Sequence, residues 1–279
     1  MTVLDCRGRK LDLSRVAVMG VLNITPDSFS DGGIFFDPAK AVAHAREMVA
    51  QGAAIVDVGG ESTRPGAQPV PLQQELDRVI PVIECLAADI AVPISIDTSK
   101  PEVMRAAVAA GAGLINDVYA LRAQDALDVA AQLQVPVCLM HMQGEPRTMQ
   151  ADPQYTDVVA DVRDFLVTRV EAARKAGIGA DRIVIDPGFG FGKTLAQNLA
   201  LLRELRSLTT LGVPVLAGLS RKSMIGKVLG LAVEDRLHAS VALAILAVQN
   251  GARILRVHDV AATAQAIRMW EVACIENRV

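Results

Sequence analysis

Short aliphatic runs recur along the chain at fairly even intervals, and longer segments with helical spacing of apolar residues separate them. Strands buried on both faces of a parallel sheet have continuous Val, Ile and Leu runs of this kind. The pattern predicts eight such strands, namely Val16–Asn23, Ile55–Gly60, Pro93–Thr98, Leu114–Val118, Pro136–His141, Ile183–Gly188, Pro214–Ser220 and Ile254–Asp259.

The segments between the strands have the start and stop signals of helices. One example is "DPAKAVAHAREMVAQG", in which Asp-Pro marks the start and glycine marks the end. Repeated strand–helix units imply a parallel sheet with right-handed crossovers. Eight units predict an α/β fold, a (β/α)₈ TIM barrel, as a single domain over residues 1–279. An open doubly wound sheet is the alternative, but it does not need eight evenly spaced strands.

Composition excludes several classes of protein. The formal charge of −3 gives no basic surplus, so we expect no nucleic-acid partner. The four cysteines form no C-x-x-C pair, which favours a reducing, cytoplasmic location. The N-terminus has no apolar signal region, and the longest apolar run, Ala239–Val248, is too short to cross a bilayer. We expect that run to form a helix buried on most faces, in part by a second subunit.

Polar residues stand at or just past nearly every predicted strand end. In barrel enzymes the reaction face lies at the carboxyl ends of the strands. Any one such residue is more simply a helix cap or an acceptor of backbone N–H groups. A whole ring of them indicates a ligand pocket, because burying unpaired carboxylates is costly. The ring consists of Asn23, Asp57, Asp97, Asn116, His141, Asp186, Ser220 to Lys222, Arg256 and His258.

Two long loops lie on the same predicted rim, Ile24–Gly33 after the first strand and Gly60–Val70 after the second. Solvent-exposed turns are the simpler interpretation. Long βα loops are often lids, however, and Phe29 and Arg64 could then close over a substrate.

The stretch "DPGFGFGKT" (Asp186–Thr194) is similar to a phosphate-binding loop. It misses the P-loop pattern because Pro187 replaces the first glycine, and it misses the dinucleotide pattern because Lys193 replaces the last one. We therefore predict that its glycines let the backbone pass close to a flat ring. Lys193 is predicted to be a surface residue at the start of a helix.

The segments "VLNITPDSFSDGG", "VDVGGESTRPGA", "SIDTSK", "INDV", "IDPGFGFGKT", "GLSRKSMIG" and "RVHD" occur in this order. Together they resemble the dihydropteroate synthases, a family of folate-pathway transferases, over almost the whole chain. The resemblance implies condensation of 4-aminobenzoate with 6-hydroxymethyl-7,8-dihydropterin pyrophosphate, giving 7,8-dihydropteroate and pyrophosphate with Mg²⁺ assisting. It also implies a homodimer and inhibition by sulfonamides.

The resemblance assigns roles residue by residue. Implied pterin contacts are Asp97, Asn116, Asp186, Lys222 and Arg256. Implied pyrophosphate contacts are Asn23, Thr63, Arg64, Arg256 and His258, and Asn23 is the implied Mg²⁺ ligand. Implied 4-aminobenzoate contacts are Phe29, Thr63, Pro65, Phe191, Lys222 and Ser223. The residues implied to act in catalysis are Asp31, Arg64, Lys222, Arg256 and His258, with Asp57 supporting the strand-end network.

Two alternatives stay open at this point. A pterin-binding methyltransferase barrel would share the deep Asp and Asn residues, but it would lack the "TPDSFSDGG" and "ESTRPG" loops that this chain has. A catalytically silent pterin-binding paralogue or partner subunit is the alternative from a different class.

Overall fold

The eight predicted strands form one parallel sheet. The structure is a computed structural model, and it describes residues 3–24, 38–62, 66–145 and 148–274. The strands are β3 (Ala17–Asn23), β4 (Ile55–Gly59), β5 (Ile94–Asp97), β6 (Leu114–Asp117), β7 (Val137–Met140), β8 (Ile183–Asp186), β9 (Leu216–Ala217) and β10 (Ile254–Val257). Their order is β8-β7-β6-β5-β4-β3-β10-β9, and a parallel bridge between Ile185 and Val215 joins the two ends of the sheet. The predicted TIM barrel is therefore confirmed.

Helices connect the strands around the outside of the barrel. They are α1 (Pro38–Ala50), α2 (Leu72–Asp89), α3 (Pro101–Ala110), α4 (Ala126–Leu133), α5 (Val158–Lys175), α6 (Leu195–Arg203), α7 (Ser223–Leu229), α8 (Leu237–Gln249) and α9 (Val260–Cys274), with 3₁₀ turns at Ala180–Arg182 and Leu205–Leu211. Helix α2 shows how they pack: its buried Val79, Val82, Ile83 and Leu86 follow the helical period and face the sheet.

Strand β9 is shorter than the predicted Pro214–Ser220. Only Leu216 and Ala217 form a ladder with β10, and Val215 adds the single bridge to β8. Residues beyond Ala217 leave the sheet, and the Ser220 side chain instead hydrogen-bonds His258 after β10.

A β-hairpin that the strand pattern did not predict closes the amino-terminal end of the barrel. It consists of β1 (Val3–Cys6) paired with β2 (Arg9–Asp12). Its side chains pack on the lowest layer of barrel residues, and this cluster contains Leu4, Cys6, Leu11, Leu13, Ala17, Met19, Ile55, Leu114, Cys138, Val184, Leu216 and Ile254. A Cβ on Gly113 would lie 2.5 Å from the Cys6 carbonyl oxygen, so the hairpin backbone fits only against glycine there. The hairpin therefore covers the end of the barrel opposite the strand ends that carry the polar residues.

In the described ranges, no helix is both long and apolar enough to cross a membrane. The apolar α8 helix buries Ser240, Ala244, Ala247 and Val248 against the barrel. It leaves Leu246 partly exposed.

Candidate active site at the carboxyl ends of the strands

The pairing register brings polar residues from neighbouring strands to one level of the barrel. Asn23 pairs with Gly59, Gly59 with Asp97, and Asp97 with Asn116. A Cβ on Gly59 would lie 3.5 Å from Asp97 Cβ and 3.8 Å from Asn23 Oδ1. The strand ends that the sequence indicated are therefore neighbours in space.

Arg256 joins two carboxylates from different strands at the centre of this group. Its Nε donates to Asp57 Oδ2 at 2.6 Å, and its Nη2 donates to Asp97 Oδ2 at 2.7 Å. Asn116 Nδ2 donates to the same Asp57 oxygen at 3.2 Å. Asp57 is fully buried, and its Oδ1 has no hydrogen-bond partner within the described chain. One acceptor in the barrel mouth is thus left for a ligand or a water molecule.

Burial dominates the electrostatics of this group. It raises the pKa of Asp97 to about 7, although the Arg256 guanidinium opposes the shift. Burial alone would lower the pKa of Arg256, but the Asp57 and Asp97 carboxylates outweigh it and raise that pKa. Arg256 therefore stays charged between the two carboxylates.

Asp186, at the end of β8, supplies a third buried carboxylate. Its Oδ1 accepts a hydrogen bond from Gly188 N at 2.7 Å. Burial raises the pKa of Asp186, whereas this backbone bond and the charge of Lys222 lower it. Because the backbone holds one oxygen, the carboxylate has a fixed orientation in the barrel mouth.

Lys222 and Phe191 lie together beside this carboxylate. The Lys222 ammonium is 4.2 Å from the centroid of the Phe191 ring, a cation–π distance. A Cβ on Gly190 would lie 3.1 Å from Lys222 Cδ, so glycine there lets the loop approach the lysine. Lys222 also precedes the first residue of α7, the exposed Ser223. The structure thus brings together three of the predicted 4-aminobenzoate contacts.

His258 is held at the edge of the site by Ser220. The Ser220 hydroxyl oxygen accepts from His258 N at 3.2 Å and lies 3.1 Å from His258 Nδ1. The next residues form an ion pair, with Arg221 Nε donating to Asp259 Oδ2 at 2.9 Å. These contacts fix the segments after β9 and β10 to each other.

The predicted loop residues Phe29, Asp31, Thr63, Arg64 and Pro65 lie outside the described residues. The base of the second loop is described, and a partly buried ionic cluster fixes it. The Lys100 ammonium pairs with Glu61, at the start of that loop, and with Glu75 of α2. The Thr98 hydroxyl donates to Glu75 Oε1 at 2.6 Å. Sequence reasoning missed this cluster, although Glu61, Thr98 and Lys100 lie in the "GGES" and "DTSK" segments, because Glu75 comes from helix α2.

Replacing Lys100 with methionine should lower the free energy of unfolding by about 3–5 kcal/mol, because it leaves the fully buried Glu75 carboxylate without its cation. Urea unfolding of both proteins measures this difference. The exposed Lys175 provides the control, since Lys175→Met should change stability by less than about 0.5 kcal/mol. A loss below about 1 kcal/mol in Lys100→Met would show that Glu75 does not need the pair.

The prediction that Lys193 is a surface residue is wrong. Its side chain is buried, with 2% of the residue exposed, and Nζ lies 2.9 Å from each of three acceptors, His141 Nδ1 and the carbonyl oxygens of Gly188 and Phe191. His141, predicted as part of the ligand-binding ring, binds this lysine instead. Only the start of the next helix was predicted correctly, since Thr194 caps α6 in a capping box with Gln197.

The three glycines of this loop lie close to other residues of the protein. Gly188, Gly190 and Gly192 all have positive φ, at 68°, 80° and 59°. A Cβ on Gly188 would overlap the His141 carbonyl oxygen, and one on Gly192 would overlap that of Gln143. Of the three, Gly190 lies against Lys222, whereas Gly188 and Gly192 lie against backbone and are needed for the fold of the loop itself.

Comparison with known proteins agrees with this geometry. A family described as "Pterin binding enzyme" matches residues 19–258. The dihydropteroate synthase of Escherichia coli (strain K12) is 50% identical over 268 residues, covering 96% of this chain and 95% of that protein. Xanthomonas albilineans dihydropteroate synthase solved with 4-aminobenzoic acid is 58% identical, with a TM-score of 0.92 and 97% of each chain covered. A structure of that enzyme in complex with 7,8-dihydropteroate aligns at 54% identity and a TM-score of 0.89, covering 97% of this chain and 98% of that one. The chain therefore belongs to the pterin-binding enzyme family and, within it, to the dihydropteroate synthases.

Proposed function

We propose that this chain condenses 4-aminobenzoate with 6-hydroxymethyl-7,8-dihydropterin pyrophosphate, giving 7,8-dihydropteroate and pyrophosphate. The observation that carries the proposal is the buried group at the barrel mouth, in which Arg256 joins Asp57 and Asp97 beside Asn116. Such a group suits a flat heterocycle with several hydrogen-bonding edges. The product bound in the Xanthomonas relative supports the assignment.

The pterin ring would bind among Asp97, Asn116 and Asp186. Carboxylates accept from the amino and ring N–H groups of an aminopyrimidinone, and charge-assisted or bidentate bonds of this kind are strong. The amide of Asn116 can both donate and accept. Arg256 would lie against the ring face, and Lys222 would balance the charge of Asp186, whose pKa it lowers.

The departing pyrophosphate would be received by Asn23, Arg256 and His258, with Thr63 and Arg64 from the second loop. Within the described residues, no three His, Cys, Asp or Glu side chains form a metal-binding group. The Asn23 amide oxygen at the mouth still fits Mg²⁺, a hard cation that takes one or two protein oxygens and the rest from phosphate and water. Mg²⁺, when bound, would neutralise charge on the pyrophosphate. The role of Ser220 is to hold the His258 ring at a fixed orientation.

The second substrate would bind at the Phe191 and Lys222 pair, with Ser223 on the same side and Phe29, Thr63 and Pro65 from the loops. The bond from the pterin methylene carbon to the pyrophosphate oxygen breaks, that carbon becomes cation-like, and the weak aryl amine of 4-aminobenzoate attacks it. The nitrogen then loses its extra proton to water. The reaction needs alignment and stabilisation of charge more than a strong base. Asp31 and Arg64, by the resemblance to the family, would complete the site.

The decisive experiment is pyrophosphate release by the purified protein. Release should require the dihydropterin pyrophosphate and 4-aminobenzoate together, with 7,8-dihydropteroate formed in equal amount. A folded protein that binds pterin but releases no pyrophosphate would instead be the silent paralogue.

Sulfonamide analogues of 4-aminobenzoate should inhibit competitively with respect to 4-aminobenzoate and not with respect to the pterin. The reason is that Phe191, Lys222 and Ser223 recognise the ring and its anionic end, which both kinds of molecule share. Initial rates at varied concentrations of each substrate test this. Failure of any sulfonamide to compete would contradict the placement of the second substrate.

We also propose that the chain forms a homodimer through α7 to α9. Val228 and Leu229 of α7 are 58% and 54% exposed, and Leu246 of α8 and Met269 of α9 add to the apolar surface. Replacing Leu246 with lysine should shift the protein toward monomer in sedimentation velocity, while Lys175→Met should not. An unchanged mass in Leu246→Lys would argue against this surface.

We also propose a cytoplasmic location, because the four cysteines form no disulfide. We propose that residues 1–279 form one domain.

A further inference from the structure

The buried side chain of Lys193 makes several contacts beneath the loop from Gly188 to Lys193. Lys193 reaches back under its own loop, and its Nζ lies 2.9 Å from the carbonyl oxygens of Gly188 and Phe191. The third contact, also 2.9 Å, is His141 Nδ1 after β7. One nitrogen therefore ties both ends of the loop to the neighbouring strand.

Besides the three acceptors at 2.9 Å, the His141 carbonyl oxygen lies 3.4 Å from Nζ, so an ammonium group can use all three of its N–H donors here. A neutral amine has two donors and would keep the ring contact only by accepting from Nδ1–H of the other His141 tautomer. Burial lowers the pKa of Lys193 to about 7, while the nearby Asp186 carboxylate opposes the shift. Burial also lowers the pKa of His141 to about 3, so its ring is neutral and Nδ1 can accept. The charges at this point are therefore compatible with an ammonium bound by neutral groups.

Both residues that the lysine holds are next to groups of the proposed site. Gly188 gives its carbonyl to Lys193 and its N–H to Asp186 Oδ1. Phe191 gives its carbonyl to Lys193, and its ring faces the Lys222 ammonium. A displacement of the loop would therefore move the orientation of Asp186 and the position of the Phe191 ring together.

Other side chains also hold the loop, and Asn198 Nδ2 donates to the carbonyl oxygen of Lys193 at 3.2 Å. Tyr155 Oη donates to the Gly192 carbonyl at 2.7 Å, and Asn198 Oδ1 accepts from Gly190 N at 2.7 Å. The positive φ angles of the glycines make the loop dependent on such bonds, since glycine has the most backbone freedom to lose.

We propose that the Lys193 ammonium is a positioning group for the reaction: it holds Gly188 and Phe191 so that Asp186 and the Phe191 ring meet their substrates in the correct geometry. Lys193 does not touch either substrate. This inference rests on the proposed function, because it concerns binding of the same two substrates.

The test compares Lys193→Met with Lys175→Met, an exposed lysine at the end of α5. Wild-type protein is first shown to release pyrophosphate, so that an inactive wild type rejects the proposed function and not this inference alone. Lys193→Met should then raise KM for both substrates by about tenfold or more. If the substitution only reduced the fraction of folded protein, kcat would fall and both KM values would stay unchanged. This result would overturn the proposal. Lys175→Met should match the wild type.

Two further variants keep the test decisive if Lys193→Met does not fold. Lys193→Gln retains two N–H donors and should raise both KM values above those of wild type, by about threefold. Lys193→Ala leaves a space lined by three acceptors, and millimolar propylammonium should restore kcat/KM at least threefold. Unchanged KM values in Lys193→Gln, or no recovery with propylammonium, would count against an ammonium role.

Discussion

Replacing Arg256 with methionine should abolish pyrophosphate release and lower the free energy of unfolding by about 3–5 kcal/mol. The guanidinium is bonded to Asp57 and Asp97, and both carboxylates are buried. Its loss leaves two carboxylates in the barrel mouth without a counter-charge. Urea unfolding and the pyrophosphate assay measure the two effects on one preparation.

The stability loss should depend on pH in a defined direction. The pKa of Asp97 is already raised to about 7 in the folded protein, and Arg256 is among the groups that lower it. Without Arg256 it rises further above the unfolded value of about 3.9. The folded variant then binds more protons than the unfolded chain, so its stability falls as pH rises from about 4 through that raised pKa. Arg256→Met should therefore be much less stable at pH 8 than at pH 5.5.

Two comparisons separate this effect from a general loss of packing. Arg268→Met removes an exposed arginine whose ion pair with Glu271 is 3.9 Å long, and it should change stability by less than about 1 kcal/mol. Adding Asp97→Asn to Arg256→Met should recover part of the loss, because one buried charge is removed. An Arg256→Met protein as stable as wild type at pH 8 would show that the two carboxylates need no cation.

Replacing Lys222 with alanine should lower kcat/KM by about 100-fold or more, similar to the loss of a preorganised group that stabilises a developing charge. Lys222 lies over Phe191 and lowers the pKa of Asp186, so it acts on both proposed substrate subsites. Without it the Asp186 carboxylate becomes harder to ionise, and pterin binding weakens. Steady-state rates with each substrate varied, and calorimetric titration with the dihydropterin pyrophosphate alone, measure the two contributions.

Lys227 gives the matched control for that substitution. It is an exposed lysine in the last turn of α7, the helix that Lys222 precedes. Lys227→Ala should leave rates and pterin binding unchanged. If Lys222→Ala retained near-normal turnover and substrate affinity, Lys222 would have no place in the site.

Much of the barrel could be predicted because the sequence patterns that indicate its strands and helices lie within short segments. A buried parallel strand needs a continuous aliphatic run, and all eight runs became strands within a few residues of their predicted ends. The β1–β2 hairpin escaped prediction because neither strand has a continuous aliphatic run: burial alternates along β1, and Leu11 is the one apolar residue of β2. Its apolar residues become core only where they meet the bottom of the closed barrel.

The candidate site was predicted less completely than the fold. The carboxylates and Arg256 stand at strand ends, where the topology alone places them on the reaction face. Lys193 was misplaced because a lysine at a helix start is ordinarily solvated. Here the loop folds over it, and its acceptors include a histidine 52 residues away in sequence.

The sequence by itself determined the order of strands and helices and the polar residues at the barrel mouth, because hydrophobic periodicity and strand direction are properties of short segments. Only the tertiary structure decided which charges meet. Arg256 is 199 residues from Asp57 and 159 from Asp97 in sequence, and closing the barrel brings all three within hydrogen-bonding distance. Ion pairing and burial depend on distances of a few ångströms, which are set by the register and closure of the whole sheet and by no single segment.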